Sequence, residues 1–109
     1  MYDFDKWGDW VHERATALAS SGVNAVFKDG RAIPELASNP SYVVQVSAAG
    51  RLGYIGFWES GLCDIVVIDT ITKANVENTS MLEATDETVP HLFERFLVAC
   101  GFGQSTTGS

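Results

Sequence analysis

Positive charge is scarce in this chain: seven Lys and Arg stand against fourteen Asp and Glu, a formal net charge of −7. A surface of that sign repels phosphate backbones and anionic lipid, which excludes direct nucleic-acid and membrane binding as expected functions and leaves a basic protein surface as the natural partner. Long apolar runs are also missing, since no stretch approaches the roughly 20 residues that cross a bilayer. Met1 is followed at once by Tyr-Asp-Phe-Asp, with neither a basic nor an apolar leader region, so no signal peptide is expected and the chain is read as cytoplasmic. Cysteine is limited to Cys63 and Cys100. Two cysteines can pair, but buried free thiols, packing as small apolar side chains, are the simpler reading.

Reactive groups are equally thin. His12-Glu13 has no second histidine four residues on, and so lacks the helical metalloprotease pattern. His91 and Glu94 stand three apart on a predicted helix, a spacing that two metal ligands can share but that no further ligand completes. Cys63 falls within a run of Ile and Val, where a thiol is core before it is nucleophile. Gly50, Gly53, Gly56 and Gly61 lie within or between predicted strands and form no phosphate loop. The expectation is a binding protein, with no enzymatic activity, cofactor or metal.

What is abundant is apolar and aromatic mass, with 46% hydrophobic residues in a chain of 109. That suits one folded core and is too little chain for two ordinary domains. Residues 1–103 are read as one α+β domain and 104–109 as a disordered tail. The centre is Tyr42 to Ile71, where three runs rich in Val, Ile and aromatics are separated by Gly-bearing breaks at Ala49-Gly50 and Glu59-Ser60-Gly61, the pattern of an antiparallel meander. Alternation puts Tyr42, Val44 and Val46 on one face of the first strand, Leu52, Tyr54 and Trp58 opposite Ile55 and Phe57 in the second, and Cys63, Ile65 and Val67 opposite Val66 and Ile68 in the third. Both faces are therefore apolar, and a chain this short covers one of them more readily than two; part of the far face is expected to await a partner.

Phe4, Trp7, Val11, Ala15 and Leu18 mark one stripe of a helix over about Asp3 to Ser20, with Asp3 as N-cap and Trp10 widening the stripe. Val23 to Ser41 shows no clear period; Val23, Ala25 and Phe27 allow a short strand, while Pro34 and Pro40 bracket an irregular connection. Val76 to Leu82 allows a fourth, polar edge strand. Val89, Leu92, Phe93, Phe96, Leu97 and Cys100 form the stripe of a second helix, capped by Thr85 or Thr88 and stopped by Gly101 and Gly103. The expected architecture is two-layer: an antiparallel meander of three to four strands, flanked by N- and C-terminal helices packed on one face.

Gly50-Arg51-Leu52-Gly53-Tyr54, Trp58-Glu59-Ser60-Gly61 with Asp64, and Val67-Ile68-Asp69 together resemble the TriTu group among immunity proteins of bacterial contact-dependent and polymorphic toxin systems. Leu62, Val66 and Lys73-Ala74 depart from that pattern. The resemblance implies a cytoplasmic antidote that occludes a cognate toxin domain, for this group an RNA-cleaving one that works with elongation factor Tu. Trp58, Glu59, Asp64, Asp69 and Glu77 are the candidate partner-binding residues, although the plainer reading packs Trp58 under a helix while Glu59-Ser60-Gly61 turns the chain into the next strand. The four acids come from neighbouring strands and turns and form either one negative surface or a dispersed, solvated one. A small acidic secretion chaperone holding an unfolded segment is the alternative of a different class.

Overall fold

The computed structural model describes residues 2–32, 39–48 and 50–102. The expected stops and connections at Pro34, Ala49, Gly103 and the tail 104–109 lie outside them. In chain order the elements are α1 (Phe4–Ser20), β1 (Asn24–Asp29), a 3-10 turn (Gly30–Ala32), β2 (Ser41–Ala48), β3 (Arg51–Trp58), β4 (Leu62–Asp69), β5 (Asn75–Glu83) and α2 (Val89–Ala99). The sheet is an antiparallel meander with strands in sequence order.

Five strands form, where sequence reading expected three to four. The added strand is β1, whose six residues pair in unbroken register with β2, from Asn24 opposite Ser47 to Asp29 opposite Tyr42. Its alternation is short and its polar positions frequent, so only the partner strand makes it legible. The edge strand β5 is longer than its apolar signal and is interrupted twice: Val76 is extra between Val67 and Ile68, and Ser80-Met81 bulges opposite Asp64. Met81 takes φ 61° at that bulge, a conformation unusual for a non-glycine residue.

One face of the sheet, the inner one, carries Tyr42, Val44, Val46, Ile55, Phe57, Cys63, Ile65 and Val67, all buried to 1% exposure or less. Helix α1 lies over β1 and β2, and α2 over β3 and β4, so both helices share this face as expected. They meet through Trp10, whose ring packs edge-on against Trp7 at 5.3 Å and Phe93 at 5.6 Å. Tyr42 is held at the centre, stacked on Phe4 at 4.6 Å and donating its hydroxyl to the Phe4 carbonyl at 2.7 Å. Asp3 caps α1 by accepting the Lys6 N–H. At α2 the two candidate caps act together: Thr88 accepts the Thr85 N–H and Thr85 accepts the Thr88 N–H.

Meander connectivity brings the starts of β2, β4, α1 and α2 and the finishes of β1, β3 and β5 to one end of the molecule. Trp7 Nε1 donating to Asp86 at 2.7 Å and the Asp3 N–H to the same oxygen at 3.0 Å tie the two helix starts together there. At the opposite end Arg51 donates to the Ala99 carbonyl at the close of α2, where a cation meets the negative end of the helix.

Candidate functional site

Alternation sends Val26 and Lys28 of β1, Val43 and Gln45 of β2, Tyr54 and Trp58 of β3, and Leu62, Asp64, Val66 and Ile68 of β4 to the outer face. Among the described residues no element packs over it. Val26 and Tyr54 are 46% and 38% exposed, and Leu52, Trp58, Leu62, Val66 and Ile68 are half-buried by one another. Gly56 makes room for the indole: a Cβ there would stand 3.3 Å from Trp58 Cζ3 and 3.4 Å from Val43 Cγ2, so the ring lies flat across the strand. A depression of about 400 Å³ opens between Lys28, Val43, Tyr54 and Trp58, and a smaller one of about 120 Å³ between Leu52, Tyr54, Val66 and Ile68. Tyr54 and Gln45 border both.

The four candidate acids do not converge. Glu59 is exposed in the β3–β4 turn, and Asp64 is on the outer face three residues into β4. Asp64 also holds the β5 bulge, accepting the Met81 N–H at 2.9 Å. Asp69 is at the far end of β4, where its Oδ1 accepts the N–H groups of Thr72 at 3.0 Å and Ile71 at 2.9 Å; those bonds lower its pKa and build the turn that leaves Ile71 83% exposed. Glu77 pairs with Val67 and so sits on the helix side of the sheet, where Arg95 Nη2 of α2 bonds it at 2.7 Å. Arg95 first, and then the Thr79 hydroxyl, hold the Glu77 carboxyl below its ordinary range. Asp69 and Glu77 thus have intramolecular partners away from Trp58.

The acids that do gather were scattered in sequence. Asp29, Glu59, Asp64 and Glu83 stand at the end of the sheet where β4 begins. The start of α1 adds Asp3 and Asp5, where the positive end of the helix dipole favours them, with Asp9 a turn further on, and Asp86 and Glu87 precede the first residue of α2. Among the described residues Lys6, Lys28 and Arg31 are the bases of that half, and Arg31 is consumed internally. Its guanidinium grips Asp29 through Nε at 2.8 Å and Nη2 at 2.7 Å, reaches Asp5 and Asp9 at 3.4 Å, and lies over the Tyr42 ring. The bond to Asp29 raises the Arg31 pKa and lowers that of Asp29. In the other half Glu13, Asp69, Glu77 and Glu94 are matched in number by Arg14, Arg51, Lys73 and Arg95. Negative charge is therefore segregated to one end of the fold.

The remaining chemistry-bearing residues are apart. His12 stacks on Phe27 at 4.5 Å on α1, while His91 and Glu94 border a groove of about 530 Å³ between α2 and β5. Among the described residues no three metal-binding side chains come together. Cys63 and Cys100 are both free and buried, and burial pushes their thiols up to about 12 and about 11. Cys63 pairs with Phe57, whereas Cys100 sits against Gly53, which pairs with Val67. Four residues of strand, roughly 13 Å, separate those two points. Tyr54, Leu62 and Glu83 are surface residues that sequence reading did not place among the partner-binding candidates; the signal available was the apolar alternation of the second and third strands, together with a register that only the folded sheet supplies.

The family model described as Immunity protein TriTu matches residues 5–99, from the first turn of α1 to the last residue of α2, and the chain belongs to that family. No curated protein and no solved structure matches it.

Proposed function

We propose that this member of the immunity-protein family neutralises a cognate toxin domain by stoichiometric occlusion, and that the toxin is a basic, RNA-cleaving domain met in the cytoplasm, with elongation factor Tu able to share the complex. A nuclease that grips RNA presents positive charge, and the segregation of negative charge to one end of this fold is the observation that carries the reading. An antidote with that field competes with RNA for the same surface, and charge complementarity speeds the encounter by about 10- to 1000-fold. Of the candidate contact residues, Trp58, Glu59 and Asp64 belong to the proposed contact; Asp69 and Glu77 serve their own turn and helix. Binding rather than catalysis fits the buried, high-pKa Cys63 and the separation of His12 from His91.

A toxin domain is expected to be encoded next to this chain's gene, and a neighbourhood without one counts against the proposal; the test uses that domain. Expressed alone it arrests growth and RNA is cut; co-expression with this chain restores growth, and purified chain added at one equivalent stops cleavage. Continued cleavage with excess folded chain present would overturn the proposal.

A further inference from the structure

The outer face carries an apolar and aromatic centre that no described element covers. Five strands about 4.8 Å apart, with residues rising about 3.3 Å each along strands of eight, give the face roughly 600 Å² in projection. Side-chain relief adds to that figure, so the whole face, and not one half of it alone, is of the size that each partner contributes to a standard-sized stable complex, roughly 800 Å². Its composition is that of an interface centre: Tyr54 and Trp58 are the residue types most enriched among binding hot spots. Trp58 is already fixed across Gly56, so little rotamer freedom remains to be lost on docking.

Charge selects the half of the face and the occupant. Asp64 and Glu83 point outward at the acidic end, Glu83 opposite Leu62 and Asp64 opposite Gly56, with Glu59 in the adjoining turn. These three border Leu62 and the side of Trp58 that pairs with it across the strands, while Lys28 of β1 borders the depression on the other side of Trp58. At the opposite end the outer face passes through Ile68 to the Asp69 turn, where acids and bases balance.

We infer that the toxin seats on the outer face of the sheet at its acidic end, with Tyr54, Trp58 and Leu62 as the apolar centre and Glu59, Asp64 and Glu83 as the rim, and that the seated surface is folded and cationic. This rests on the antidote reading above and locates the contact on the sheet, away from the helical layer. The rim acids act chiefly on association and the aromatic centre on dissociation.

The experiment measures binding of the inactivated cognate toxin domain to five forms of the full chain, wild type and four variants, at low and at physiological salt. Glu59→Lys/Glu83→Lys slows association by about 10-fold or more at low salt, and Glu13→Lys/Glu94→Lys, the same change in net charge on the helical layer, slows it less than about 3-fold. Trp58→Ala raises Kd by about 30-fold or more, as hot-spot truncation does. Circular dichroism and thermal unfolding establish that each variant is folded, and a Trp58→Phe variant, which keeps an aromatic over Gly56, covers the case in which alanine unfolds the strand. Tight wild-type binding with equal effects of the two charge reversals, or with Trp58 variants bound as tightly as wild type, would overturn this surface while leaving the antidote reading standing. So would a self-dimer in which Tyr54 and Trp58 are covered by a second copy. Failure of the wild-type chain to bind at all would instead overturn the antidote reading.

Discussion

Gly53→Ala is expected to destabilise the fold, although alanine in a strand ordinarily gains about 0.5–1 kcal/mol over glycine. The new Cβ would stand 2.9 Å from Cys100 Sγ, 2.9 Å from Val67 Cγ2 and 3.1 Å from Phe96 Cε1, all of them buried where α2 rests on the sheet. None of these is the free end of a long side chain, so α2 must lift or rotamers must shift. Overpacking of this kind costs about 1–3 kcal/mol, which leaves a net loss centred on about 1.3 kcal/mol and reaching about 2.5 kcal/mol after the propensity gain. At roughly 4 °C per kcal/mol the unfolding midpoint falls by about 5 °C, and by no more than about 10 °C. Urea unfolding followed by tryptophan fluorescence and by circular dichroism measures it. The decisive form is a double-mutant cycle with Cys100→Ala, which removes one of the three clashing atoms: the cost of Gly53→Ala then shrinks by about 0.5–1 kcal/mol. A stabilised single mutant, or additive effects in the cycle, would refute the close approach of helix and sheet.

Gly8→Ala reverses its usual helix benefit of about 1 kcal/mol, because the added carbon would meet Arg31 Nη1 at 2.5 Å and buried Tyr42 at 2.7 Å; thermal unfolding gives the sign. Asp69→Ala speeds amide exchange at Ile71 and Thr72 while Asp69→Asn, which keeps the accepting oxygen, does not, and toxin affinity in both stays within about 3-fold of wild type. The Glu77 carboxyl has a folded pKa below its unfolded one, so the stability it contributes is present above the unfolded value and is lost as pH falls through the folded value. Arg95→Gln accordingly costs about 0.5 kcal/mol near pH 7, and urea titrations show the gap to wild type closing in acid. Both thiols, buried and raised in pKa, resist a disulfide reagent at pH 8 in the folded chain and react in denaturant; fast labelling of the native protein would contradict their burial.

The fold was legible wherever one period dominated. The Phe4–Leu18 stripe located α1 to within a residue, and the alternation of β2 to β4 grouped the side chains of each strand by face without saying which face the helices cover. Sequence reading packed Trp58 under a helix, whereas its pairing with Leu62, opposite in face to Phe57 and Cys63, puts it on the uncovered side. Strand β1 was only allowed by its sequence, since six residues of mixed polarity gain their strand character from pairing with β2. The bulge at Ser80-Met81 had no local mark: a methionine at positive φ is dictated by Asp64 capturing its N–H from the neighbouring strand. The acids show the same division. Their number was plain, but Asp3, Asp29, Glu59, Glu83 and Glu87 come to the same end of the molecule only because alternate strands and both helix starts reach it in a meander. Nearness along the strands suggested Asp69 and Glu77 instead, and alternation with the β5 register carries Glu77 to the other face.

Hydroxyl-radical footprinting of the chain alone and bound to the inactivated toxin domain reads the occluded face directly, through tyrosine, tryptophan and histidine side chains spread over both layers. Tyr54 and Trp58 should become protected on binding while His12 and His91 on the helices keep their reactivity. Protection of the two histidines with Tyr54 and Trp58 unchanged would place the toxin on the helical layer and contradict neutralisation through the sheet.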